Sequence, residues 1–130
     1  MKNDAVPPRL NQISGQVVSA CYAVHSALGP GLLESVYESC LIYELRKRGL
    51  KVEGQVILPI VYDNLKIEGG LRLDLLVENC VIVELKAVES LLPVHKAQLM
   101  TYLKLSGNRL GLLINFNVPI IKEGIKRVVL

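Results

Sequence analysis

The run Val81-Ile82-Val83-Glu84-Leu85-Lys86 constrains this chain more than any other segment. Side chains alternate across a strand, so a strand that is apolar on both faces must be covered from both sides. That pattern belongs to the centre of a sheet and predicts helices packed above and below it. The run begins at about Cys80, ends near Ala87, and turns charged only at its end. A chain of 130 residues can supply the cover, since one domain of this size hides roughly two thirds of the surface its unfolded form exposes.

The flanking segments supply those helices. Met1 to Leu10 reads as a loose arm. Helix 1 is expected to begin near Asn11, a good N-cap, with Ile13, Val17, Cys21, Val24 and Leu28 recurring at helical spacing. Gly29-Pro30-Gly31 stops it. Helix 2 is expected over about Leu32 to Arg48, with Arg46, Lys47 and Arg48 at the negative end of its dipole and Gly49 ending it. Val56 to Tyr62 reads as a strand, Asp63-Asn64 as a turn, and Leu65 to Val77 as a second strand weakened at Gly69-Gly70. Glu78-Asn79 turns the chain into the central strand. Pro93 opens a third helix that runs to about Leu105 and stops at Ser106-Gly107-Asn108. Arg109 to Phe116 and Ile125 to Val129 are further strands. The order is ααβββαβ with one more short strand, no repeat and no linker, which describes one α/β layer domain over 1–130.

Composition excludes several classes. Hydrophobic residues make up 51% of the chain, yet no stretch approaches the ~20 unbroken apolar residues of a membrane helix. Met1 to Arg9 holds charge and two prolines but no apolar run, so no signal peptide is expected. Cys21, Cys40 and Cys80 are an odd number at wide spacing, neither a metal knuckle nor a disulfide framework, which predicts buried thiols in a reducing, cytoplasmic setting. A net charge of +3 permits a polyanionic partner without arguing for one.

Asp74 and Glu84 are carboxylates ending otherwise apolar strands, and Glu84 and Lys86 share a strand face. A two-residue hairpin loop pairs residues whose numbers sum to about 157 and places Asp74 and Glu84 on opposite faces. A three-residue loop makes that sum about 156 or 158 and puts them on one face, opposite or diagonal. Asn79 tolerates the left-handed backbone such a loop needs, so the odd-length loop is expected. Two converging carboxylates form a hard oxygen site suited to Mg²⁺ or Mn²⁺, to which the Leu85 carbonyl can add a ligand. A metal so held polarises a phosphodiester, while the Lys86 ammonium offsets the gathering charge. The plainer reading is a strand end with a Glu–Lys pair. His25 and His95, one in each of two helices, make a poor zinc site.

Leu71-Arg72-Leu73-Asp74 followed by Val83-Glu84-Leu85-Lys86 resembles the core of the PD-(D/E)xK nucleases, with Leu73 where that superfamily often has proline. Leu28-Gly29-Pro30-Gly31-Leu32-Leu33-Glu34-Ser35-Val36-Tyr37 resembles the motif of the GxxExxY family, a branch of that superfamily. The likeness continues through His95 to Lys104 and through Leu112-Leu113-Ile114-Asn115-Phe116, and covers nearly everything after Asn11.

The resemblance implies a single restriction-endonuclease-like ααβββαβ domain, a mixed central sheet flanked by helices. It implies metal-dependent phosphodiester cleavage in nucleic acid, with Asp74 and Glu84 as ligands of Mg²⁺ or Mn²⁺ and Lys86 as the catalytic lysine. Glu34, by itself a helix-start carboxylate above a core tyrosine, becomes a third acidic ligand, with Tyr37 as its hydrogen-bond partner or a substrate contact. Gln98 and Tyr102 share a helical face and match the Q-x-x-x-Y element of RecB-like nucleases, which touches DNA beside the metal. Arg72 shares a strand face with Asp74 and is a candidate substrate contact. Lys96, Lys104, Lys122, Lys126 and Arg127 are candidate phosphate contacts. The alternative is a catalytically silent module that keeps the fold and grips nucleic acid or protein. A chain this short has little room for a substrate-gripping domain of its own, so a homodimer or a protein partner is also expected.

Overall fold

A computed structural model describes residues 5–130; of the loose arm expected over Met1 to Leu10, residues 1–4 lie outside them and Pro8 to Leu10 belong instead to the first helix. Helix α1 spans Pro8–Leu28, three residues longer at its start than the sequence suggests. Pro8 opens it because a fixed φ near −65° and a missing N–H suit the first helical position. The N-cap is therefore Pro7 and not Asn11, whose side chain instead accepts a hydrogen bond from Arg127. Gly29 (φ 74°) ends α1 and Gly31 (φ 96°) turns the chain again, both in left-handed backbone. Helix α2 begins only at Glu34, after an extended Leu33, and runs to Lys47.

Five strands follow: β1 Val52–Tyr62, β2 Leu65–Val77, β3 Val81–Lys86, β4 Leu110–Asn115 and β5 Ile125–Val129. They form one sheet in the order β1-β2-β3-β4-β5, antiparallel except for the parallel pair β3–β4. Helix α3, Pro93–Ser106, makes the crossover between those two. A short 3₁₀ turn at Ile121–Gly124 precedes β5 and had no counterpart in the sequence pattern. β1 starts four residues earlier than expected, because Glu53-Gly54-Gln55 has low strand propensity and is carried by pairing with β2.

β3 is the central strand and is covered on both faces. Val81, Val83 and Leu85 join the core under α1 and α2, together with Val17, Cys21, Leu41, Leu45, Leu112 and Ile114. Ile82 points the other way, into a second core with Leu99 and Leu103 of α3 and Leu113 of β4. Gly111 on β4 lets α3 approach closely, since a Cβ there would stand 2.8 Å from Leu99 Cδ1.

The β1–β2 hairpin turns over at one level. Val52, Leu75 and Val77 belong to the first core, but Val56, Leu71 and Leu73 pack in the second. Strict alternation would have kept all of these residues on one face. The change falls between the pairs Gly54↔Leu75 and Val56↔Leu73, where Gln55 has φ 53°. A left-handed residue inside a strand acts like a bulge and redirects the chain. The residue across from it is Asp74.

Candidate active site

The loop joining β2 to β3 holds three residues, Glu78-Asn79-Cys80, with Glu78 (φ 52°) and Asn79 (φ 58°) both left-handed. Val77 pairs with Val81, Leu76 with Ile82 and Leu75 with Val83, so paired numbers sum to 158. Extended by one step, that register sets Asp74 across from Glu84, the arrangement expected from an odd-length loop. Asp74 does not end its strand, because β2 continues to Val77.

Beyond Leu75 and Val83 the ordinary backbone ladder stops, and side chains take over its hydrogen bonds. The Asp74 N–H donates to Glu84 Oε2 at 2.9 Å, and the Leu85 N–H donates to Asp74 Oδ2 at 2.9 Å. Each carboxylate thus holds the other strand's backbone, which fixes both rotamers and keeps the strands apart at the place where a ligand would enter. Leu85 contributes through its backbone, while its side chain is buried in the core beneath.

A cleft of about 340 Å³ opens there, lined by Glu34, Gly69, Gly70, Arg72, Asp74, Glu84, Lys86, Gln98 and Tyr102. Four elements meet around it. The first turn of α2 brings Glu34, β2 brings Arg72 and Asp74, β3 brings Glu84 and Lys86, and α3 brings Gln98 and Tyr102 one helical turn apart. Gly69 and Gly70, visible in the sequence only as a weak point of a strand, form part of the wall. A Cβ on Gly70 would meet Ile60 Cδ1 at 2.9 Å, so a larger residue there would force Ile60 to shift where the hairpin closes over itself.

The electrostatics are those of crowded acids. Glu84 is only 4% exposed, and burial first, then the Asp74 charge, push its pKa up to about 8 against the pull of the Asp74 N–H and Lys86. Burial and Asp74 also raise Glu34, partly offset by Lys86. Burial, followed by the charges of Glu84 and Asp74, raises Tyr102. Glu84 and Glu34, raised by burial and by the Asp74 charge, gain from a cation beside them. Among the described residues no three His, Cys, Asp or Glu side chains form a ready-made metal cage. Asp74 and Glu84 are held together, and Glu34 shares the cleft with them, a hard-oxygen donor set that fits Mg²⁺ or Mn²⁺.

Tyr37 is not brought to the cleft. It is fully buried, its hydroxyl donates to Gly29 O at 2.6 Å and accepts from the Leu32 N–H at 3.1 Å, and its ring stacks on Phe116. The expected bond to Glu34 or contact with substrate gives way to a core position, because the ring stacks on Phe116 in the core under α1 and α2. Lys96, Lys104, Lys122, Lys126 and Arg127 do not line the cleft either. His25 packs on Phe116 with Nε2 2.8 Å from Val118 O, and His95 Nδ1 accepts the Leu92 N–H where α3 begins. Neither histidine lines the cleft. Asn115 was legible only as part of a motif. Its buried amide brackets Val88, accepting from the N–H at 3.1 Å and donating to the carbonyl at 3.0 Å, just after Lys86.

A mixed sheet with two helices on one face and one on the other, opening on an acid–acid–lysine cleft, defines a restriction-endonuclease-like α/β domain. The profile of the PD-(D/E)XK nuclease superfamily matches residues 11–128, and the chain belongs to that superfamily. Among solved structures it is similar to the crystal structure of SSO0001, with a TM-score of 0.55 and 19% identity over 99% of this chain and 69% of that one. That likeness is one of fold. No curated protein matches the chain. Among the described residues no helix is long and apolar enough to cross a membrane.

Proposed function

We propose that the protein is a metal-dependent nuclease of the GxxExxY branch, cleaving phosphodiester bonds of nucleic acid with Mg²⁺ or Mn²⁺. The observation that carries this reading is the reciprocal grip of Asp74 and Glu84 on each other's strands, with Lys86 on the face of Glu84. A decayed site has no reason to keep a buried Glu84 beside Asp74 with its pKa raised by burial and by the Asp74 charge.

Asp74 and Glu84, joined by Glu34 and the Leu85 carbonyl, would hold the cation. Bound there, it supplies Lewis acidity toward the phosphate and a water of lowered pKa. Lys86 would orient an attacking water and offset the negative charge that develops on the phosphoryl oxygens. Gln98 and Tyr102 approach from α3 to position the substrate strand, and Arg72 neutralises a flanking phosphate. The three cysteines are free, which suits the reducing, cytoplasmic setting proposed for the protein.

The test is incubation of the purified protein with Mn²⁺ and labelled DNA and RNA, single and double stranded. Cleavage is expected for the parent and is lost in Lys86→Ala and Asp74→Asn. Gln98→Ala, removing one substrate hydrogen bond, is expected to lower activity by the equivalent of roughly 1–3 kcal/mol. Cleavage that persists unchanged in Lys86→Ala would remove the catalytic assignment. Binding without cleavage by the parent would favour the silent-module reading.

A further inference from the structure

Glu34 is the one acidic residue of the cleft that does not come from the sheet, so something must fix its helix relative to β3. Tyr37 lies one turn further along that helix. Its ring stacks on Phe116 with centroids 4.6 Å apart and planes at 6°. The Phe116 N–H donates to Lys86 O at 3.0 Å, so the stack seats α2 on a residue bonded to the backbone of the catalytic lysine. At its other end the hydroxyl joins Gly29 O and the Leu32 N–H, at 2.6 and 3.1 Å. Those two groups bracket Pro30 and Gly31, the loop that delivers the chain to Leu33 and Glu34.

A core filler needs only the ring. Burying a hydroxyl is unfavourable unless it is bonded, and this one is bonded twice, as donor and acceptor, across a loop that cannot form a helical ladder. Gly31, at φ 96°, supplies the backbone conformation the closed loop demands.

We propose that Tyr37 is a positioning residue for Glu34. It closes the Gly29–Leu32 loop through its hydroxyl and docks α2 on Phe116 through its ring, setting the third acid against the Asp74–Glu84 pair. The spacing of Gly31, Glu34 and Tyr37 then has one mechanical meaning: a hinge glycine, the acid it aims, and the lock that holds the aim. The inference rests on the metal-site reading of the cleft.

A double-mutant cycle on the full chain tests it, with Mn²⁺ binding read by calorimetry and folding checked by thermal melts. Tyr37→Phe keeps the ring and the stack and removes only the hydroxyl. It is expected to weaken Mn²⁺ binding roughly threefold to tenfold, the worth of a local hydrogen bond, and to have no further effect once Glu34→Gln is present. Phe116→Leu, which loosens the stack and leaves the hydroxyl, is expected to show the same coupling and serves if Tyr37→Phe does not fold. Equal weakening in both backgrounds, or a lowered melting temperature with unchanged affinity, overturns the positioning role while leaving the metal site standing. If Asp74→Asn leaves Mn²⁺ affinity unchanged, the metal reading falls and this inference falls with it.

Discussion

Glu84 is where the physical chemistry of the cleft is most concentrated. Its carboxyl has a pKa of about 8 against an ordinary 4.5, because it is buried beside another acid. A raised acid holds a proton in the folded state that the unfolded state has already released. Stability contributed by that proton is complete below about pH 4.5, falls as pH rises, and is gone above about pH 8. Glu84→Gln keeps the shape and cannot ionise. In chelator, it is expected to match the parent near pH 4.5 and to exceed it by about 3 kcal/mol near pH 9, using ~1.4 kcal/mol per pKa unit discounted for the open side of the cleft. Urea denaturation at the two pH values measures this. A parent whose stability is flat from pH 5 to 9 would show that Glu84 does not carry this strain. The types of residue at the site were legible in the sequence, since Asp74, Glu84, Lys86 and Gln98 stand in recognisable order. The place of Tyr37 was not. A tyrosine three residues after a glutamate can face a cleft or a core, and only the neighbour it stacks on decides which.

At the scale of elements, close approach does much of the positioning. Helix α3 carries Gln98 and Tyr102 to the cleft, and its seat is Gly111 on β4, where an added methyl would lie 2.8 Å from Leu99 Cδ1. Leu99 is fully buried, so it has no room to retreat. Gly111→Ala is expected to destabilise by about 1–3 kcal/mol through overpacking. In a Leu99→Ala background that penalty is expected to shrink or vanish, because the clashing atoms are gone. Equilibrium denaturation of the four proteins gives the coupling, and a neutral Gly111→Ala would mean that α3 is not seated this way. Helices and strands were legible from period and punctuation, with β2 and β5 read to the residue. The start of α1 and the extent of β1 were not. Proline at a first helical turn looks like a loop, and an edge strand with Glu, Gly and Gln takes its form from its partner.

For the whole molecule, the cleft exists because four elements converge on the level where the β1–β2 hairpin turns over and the β2–β3 ladder gives way to side-chain bonds. A cation that binds the folded cleft and not the unfolded chain stabilises the protein by mass action. Mn²⁺ at a hundredfold its Kd is expected to add about 2.7 kcal/mol, raising the melting temperature by several degrees. Asp74→Asn is expected to abolish the rise, and an unchanged melting temperature for the parent in millimolar Mn²⁺ would count against the metal site. The sequence by itself determined that a strand apolar on both faces lies at the centre of an α/β layer, that Asp74, Glu84 and Lys86 cluster near it, and that glycines punctuate the approach to Glu34. These follow from local rules, namely strand alternation, helical period and backbone freedom, which neighbouring residues obey wherever they fold. Only the tertiary structure decided that the hairpin turns over at Gln55 and Asp74, and that Tyr37 closes a loop and leaves the cleft to Glu34. Each of those depends on which distant surface is within reach, and a choice between two nearly equal local conformations is settled by the packing partner.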